Sequence, residues 1–237
     1  MSKLFISMFG LLLAAWAQTG LTQGAPFATA NRAVQIYQAR EANAALMHQY
    51  EWNSRTEIIS QGQVKDIRID LVSYGPFGQL QRTVINDQPA SGGPILPTPI
   101  GFLRRAIAED KKKEMQEYLM GLQGLLEQYT LPTTQKILDF ISTATPSGPD
   151  ANGLFQLTGY SVVQPGDNLT LWVNPWTKHL RQMQVNTTFQ GNVVQMTATF
   201  QTVPGSGLNY AAFAEATVPA KQLSVQVQNY NFARLSY

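Results

Sequence analysis

Apolar and polar residues alternate in steps of two along most of this chain. Tyr50, Trp52, Thr56 and Ile58 interleave with Glu51, Asn53, Arg55 and Glu57, which predicts a strand with one dry and one wet face. The next run repeats the pattern: Ile67, Ile69 and Leu71 are expected on the dry side, and Asp66, Arg68 and Asp70 in water. Gly75, Pro76 and Gly78 predict a turn, and Gln79 to Asn86 a third strand, so that the three form a meander.

The period changes twice to that of a helix. Asn31 to Met47 predicts a helix with Val34, Tyr37 and Met47 among alanines, capped by Thr29 or Asn31. After a Pro-, Gly- and Ser-rich connection from Asp87 to Pro99, Met115, Tyr118, Leu119, Leu122, Leu125, Leu126 and Tyr129 recur at three-and-four spacing along one side of a long helix. Gly121 and Gly124 weaken that helix. Pro132 ends it, Thr133 or Thr134 can cap a successor, and Ile137, Leu138, Phe140 and Ile141 supply the second helix with an apolar side.

Beyond a loop from Pro146 to Gly153 the two-residue period returns and persists to the C-terminus. Leu169, Leu171 and Val173 alternate with Thr170 and Trp172, and Asn174-Pro175-Trp176-Thr177 predicts a turn made by the Asn side chain and the fixed φ of Pro. Met183, Val185, Thr187 and Phe189 precede Gly191-Asn192, and Val194, Met196, Ala198 and Phe200 follow, which reads as a hairpin. Two further strands are expected at Tyr210 to Val218 and Leu223 to Gln228. The fold class is therefore α+β, with a large antiparallel sheet and inserted helices at about 100–145.

The first residues depart from this pattern. Lys3, the uncharged apolar stretch from Leu4 to Ala15, and the small residues of Ala15-Trp16-Ala17 read as a signal peptide cleaved after Ala17. The stretch is shorter than the roughly 20 residues a membrane-spanning helix needs. Residues 18–237 then form one domain, and its place is outside the cytoplasm, in the bacterial periplasm. With no cysteine in the sequence, folding rests on a core and not on disulfides, and a lipid-modified N-terminus is excluded. Loss of Lys3 with the leader leaves a net charge of +1, which indicates neither nucleic acid nor an anionic surface as partner.

Reactive constellations are sparse, and no catalytic residue, metal ligand or cofactor is assigned. His48 and His179 have no ligand spacing around them, Gly205-Ser206-Gly207 lacks the flanks of a nucleophile elbow, and phosphate-binding glycine loops do not occur. The mixed run Glu109 to Glu114 reads as a solvated helix side. Asn168-Leu169-Thr170 and Asn186-Thr187-Thr188 are glycosylation sequons only in a glycosylating pathway.

Apolar surface carries the stronger signal. Trp52, Ile67, Ile69, Met183, Val185, Val194 and Met196 fall on expected dry faces, and a one-sided sheet must cover that face. They form either a filled core or an apolar cavity, with Leu119, Leu122 and Leu126 of the long helix as the lid. Methionines suit an adaptable ligand surface.

The order of leader, helix, strands, inserted helices and strands resembles the LolA/LolB superfamily of periplasmic lipoprotein carriers. The most local likeness is Leu169-Thr170-Leu171-Trp172-Val173-Asn174-Pro175-Trp176-Thr177-Lys178-His179-Leu180-Arg181, continued by Val185 through Phe200. The resemblance implies an incomplete half β-barrel whose concave side takes acyl chains beneath helical cover. No position matches an acyl-receiving residue of the carriers. The expected function is non-catalytic binding of a lipid, a lipoprotein acyl chain or another hydrophobic ligand. The alternative is a structural or interaction module that meets an envelope protein through a filled core's loops or edge, and an enzyme ranks third.

Overall fold

The structure is a computed structural model, described here over residues 26–89, 112–130 and 133–235. The leader, residues 90–99 of the Pro-rich connection and residues 100–111 of the expected insertion lie outside the described residues. Helix α1 (Pro26–Met47) is followed by strands β1 (Tyr50–Ser60), β2 (Gln63–Tyr74) and β3 (Leu80–Pro89). Helices α2 (Lys112–Thr130) and α3 (Thr134–Thr143) come next. The chain then runs through β4 (Thr145–Ser147), β5 (Phe155–Tyr160), β6 (Asn168–Val173), β7 (Leu180–Phe189), β8 (Asn192–Thr202), β9 (Asn209–Val218) and β10 (Leu223–Arg234).

All ten strands belong to one antiparallel sheet of order β3-β2-β1-β10-β9-β8-β7-β6-β5-β4. The sheet does not close, because β3 and β4 are its two edges. Pairing of β1 with β10 sews the N-terminal meander to the C-terminal one. The chain must therefore pass from one edge of the sheet to the other between β3 and β4, and α2 and α3 lie on that passage.

Local chemistry accounts for the joints. Gln61-Gly62 and Gln190-Gly191 all have positive φ, the two-residue turn that matches strand twist, and glycine at the second position removes the steric cost. The β7–β8 turn is thus one residue earlier than Gly191-Asn192, since Asn192 already pairs with Phe189. Asn174 Oδ1 accepts from the backbone N–H groups of Trp176 and Thr177 at 2.9 and 3.0 Å, as expected of that turn. Thr133 caps α3 by accepting from the Lys136 N–H at 3.3 Å.

One face of the sheet meets the helices. Tyr118, Leu119 and Leu122 of α2 pack with Ile58, Val194, Val218 and Leu223. One turn further, Leu125 and Tyr129 join Phe140 of α3 on Leu169, Met183, Val185 and Met196. Each such buried side chain contributes about 2 kcal/mol of apolar burial. Two glycines let the layers approach: a Cβ at Gly121 would stand 2.5 Å from the Phe189 ring, and one at Gly159 would stand 2.7 Å from Phe140. Gly121 costs α2 some intrinsic helicity and is the place where β7 touches it.

A buried carboxylate locks this arrangement. Asp167, before β6, accepts from the backbone N–H groups of Val162, Val163 and Gln164 at 2.6, 2.9 and 2.8 Å, and from the Tyr129 hydroxyl at the end of α2. Tyr129 also bonds Thr187 of β7 at 3.1 Å. Burial alone would raise the Asp167 pKa, but these donors outweigh it and hold the carboxyl below its ordinary value. The Tyr129 phenol is pushed up, first by burial and then by its carboxylate partner.

Candidate functional site

The helix-facing side of the sheet encloses a cavity of about 770 Å³. Its walls include Arg82 of β3 and Leu157 of β5, which are eight strand intervals apart in the sheet. A flat sheet would separate such strands by roughly 38 Å at about 4.8 Å per interval. The sheet is therefore curved around the cavity.

Strand alternation decides what the walls present. On β6 to β10 the lining is mostly apolar, with Leu169 and Leu171, Met183, Met196 and Ala198, Ala214 and Ala216, Val225 and Val227, and its polar members include Asn209, Glu215 and Asn229. Leu119, Leu122 and Leu126 of α2, with Phe140 and Ile141 of α3, line the other side. Small alanines on β9 beside methionines on β7 and β8 leave the volume that bulkier residues would fill.

On β1 to β3 the lining adds polar groups to the apolar Ile58 and Leu80. Thr56, Arg68, Asp70 and Arg82 line the cavity, and α1 adds Arg40 and Asn43 from above. Arg68 Nε donates to Asp70 Oδ1 at 2.6 Å, and Arg82 Nη1 lies 3.4 Å from Asp70 Oδ2, so two guanidinium groups share one carboxylate. Arg68 and Asp70 are buried, whereas the Arg82 side chain is 36% exposed. Asn43 ties α1 reciprocally to the start of β9: its amide donates to the Asn209 carbonyl at 2.7 Å and its oxygen accepts from the Asn209 N–H at 2.6 Å. Tyr74 completes the polar lining, stacked on His48 with ring centroids 4.3 Å apart.

The sequence-predicted residues divide accordingly. Met183 and Met196 line the cavity, as do Leu119, Leu122 and Leu126. Val185 and Val194 lie on the same face but are fully buried in the packed layer under α2. Trp52 is also on that face, outside the cavity lining, stacked on Phe232 with centroids 5.5 Å apart in an aromatic group that includes Tyr74. Ile67 and Ile69 require correction. The even-numbered residues of β2 face inward, so Ile67 and Ile69 are on the outer face opposite Glu57 and Arg55, which form an ion pair.

The reason is that alternation marks two faces without saying which is the core. Asp66, Arg68 and Asp70 alternate in sign at two-residue spacing on one face, and such a set can be buried because its members compensate one another. That sign alternation was the available signal. The contributions of Arg40, Asn43 and Arg82 had none, since they arrive from a separate helix and an edge strand.

No three His, Asp or Glu side chains gather as a metal site among the described residues. His179 lines the cavity near the β6–β7 turn, and burial, then the Arg181 charge, holds its pKa below the usual imidazole value. Among the described residues no helix is long and apolar enough to cross a membrane.

No protein-family model and no curated protein matches the sequence. Among solved structures the chain is similar to a DUF1329 family protein from Desulfovibrio piger, at 12% identity over 89% of this chain and 94% of that one, with a TM-score of 0.48. It is also similar to a LolA superfamily protein from Nitrosomonas europaea, at 10% identity over 86% of this chain and 94% of that one, with a TM-score of 0.39.

Proposed function

We propose that this protein is exported through its N-terminal leader to the bacterial periplasm and there binds a lipid, a lipoprotein acyl chain or another hydrophobic ligand without covalent chemistry. The observation that carries this reading is the cavity of about 770 Å³ between the curved sheet and α2–α3, with aliphatic side chains over most of one end. Its size is within the range of sites that enclose small ligands. In this reading residues 18–237 form one domain, a half-barrel whose concave side is covered by the helices, with Leu119, Leu122 and Leu126 as the lid. Transfer of acyl chain from water supplies the driving force, about 25 cal/mol per Å² before ordering costs.

A second reading, an interaction module of the envelope, is favoured by Phe77 and Trp176, which are 94% and 87% exposed. They stand in the β2–β3 and β6–β7 turns, at one end of the antiparallel sheet. Mass spectrometry of organic extracts of the protein purified from its native compartment separates the two. Stoichiometric lipid is the expected result. A lipid-free protein that also takes up no apolar fluorophore overturns the ligand reading in favour of the module.

A further inference from the structure

The two ends of the cavity differ in chemistry, and the difference orients a ligand. At the apolar end a hydrocarbon chain finds Leu119, Leu126, Phe140, Met183 and Met196. At the other end the lining includes three guanidinium groups, Arg40, Arg68 and Arg82, of which Arg68 and Arg82 meet one carboxylate, Asp70. Two further acids line the cavity, and each is engaged by its own strand or helix neighbours: Glu127 accepts from Gln123 at 2.8 Å, and Glu215 from Ser224 and Gln226 at 2.7 and 2.9 Å. Glu41 pairs with Arg40 at 3.0 Å on the exposed side of α1, and such a pair is weak. Asp66 is buried on the inward face of β2 outside the lining.

Arg82 is the group placed to meet a ligand. Its contact with Asp70 is 3.4 Å long, to a carboxylate that Arg68 already holds at 2.6 Å. A guanidinium has five N–H donors in a planar fork suited to carboxylate or phosphate. Arg40 of α1 lines the same cavity as Arg82 and Tyr74.

We propose that the cavity binds an anionic amphiphile in one orientation, with its tail beneath α2 and α3 and its carboxylate or phosphate headgroup on Arg82 and Arg40. The inference rests on the reading of the cavity as an apolar-ligand site and adds the headgroup's sign and position. A neutral lipid would leave the guanidinium groups without the exchange of water for an anion, so it binds less tightly through the same tail contacts.

The test is displacement of the neutral apolar fluorophore N-phenyl-1-naphthylamine from the full mature chain, below micellar concentrations, by 1-hexadecanol, palmitate and palmitoyl lysophosphatidate. The two anionic amphiphiles are expected to displace it at roughly tenfold lower concentration than the alcohol, the scale of one charge-assisted contact. Arg82→Gln, and independently Arg40→Gln, should narrow that ratio by weakening the two anions more than hexadecanol, with circular dichroism verifying the fold of each. Success with palmitate alone assigns the site to free carboxylates, and success with lysophosphatidate alone assigns it to lipid phosphate. Equal displacement by all three overturns the headgroup inference while the apolar-ligand reading stands. Failure of the fluorophore to bind at all overturns both.

Discussion

The β6–β9 end of the cavity and the β1–β3 end share a sheet, a register rule and an inward face, yet they are stabilised in opposite ways. At the first, Met183, Met196, Ala198 and Ala216 pack with side chains of α2 and α3 through non-directional contacts. At the second, Arg68, Asp70 and Arg82 are held by directional, charge-assisted bonds. Apolar packing is non-directional, and flexible methionine side chains give way to a ligand of variable shape. A buried ion pair tolerates little, because a lost partner leaves a charge without compensation. Under the proposed function, one end would adapt to a variable tail and the other would select the headgroup.

The sharpest way to break the comparison is to give the apolar end a charge. Met196→Glu places a carboxylate among aliphatic side chains, and urea unfolding should show a loss of at least about 3 kcal/mol, with fluorophore uptake abolished in the protein that remains folded. The converse change removes the shared carboxylate from the polar end. Asp70→Leu should cost about 3 kcal/mol, whereas the double variant Arg68→Met with Asp70→Leu should recover much of it, since replacing a buried pair by apolar groups is close to neutral. No recovery in the double variant would show that the polar end is held by more than this pair.

Outside both ends, Asp167→Ala removes the acceptor of three backbone N–H groups and of Tyr129, and a loss of about 2 kcal/mol at neutral pH is expected. The native Asp167 pKa is lowered, so its contribution is complete above the ordinary carboxylate range and disappears as pH falls through the native value. Stability curves from pH 7 to pH 2 should accordingly show a shallower acid limb in Asp167→Asn. Gly121→Ala sets a gain in helix propensity against a clash with Phe189, and a net loss of about 1 kcal/mol, read by thermal melting, is expected if the close approach of α2 to β7 governs. Trp176→Ala should change stability by less than about 0.5 kcal/mol, because the ring is almost wholly in solvent.

Much of the fold was legible in the sequence where a single period ran long enough. Met115 to Tyr129 gave α2 within a few residues, and the paired runs Met183–Phe189 and Val194–Phe200 gave β7 and β8. The expected start of α1 at Asn31 was late, since the helix begins at Pro26. The Pro-rich connection was expected from Asp87, but β3 continues to Pro89, where an edge strand accommodates proline. Likewise the loop expected from Pro146 opens with the short edge strand β4.

The site was only partly legible. Met183, Met196 and the three leucines of α2 followed from period and burial alone. Ile67 and Ile69 did not, because the more apolar face of β2 was taken for the inner one, whereas a self-compensating row of Asp66, Arg68 and Asp70 occupies that side.

By itself the sequence determined the kinds of element, their order, and the alternation that makes each strand two-faced, because these follow from covalent geometry and local pattern. Only the tertiary structure decided which face of β2 turns inward, that β10 joins β1 and β9, and that Arg40 and Arg82 reach one end of a cavity whose other end is aliphatic. The physical reason is that facing is settled by what packs opposite a strand. For β2 the inward carboxylate of Asp70 meets Arg82 of β3, and no local period records that partner.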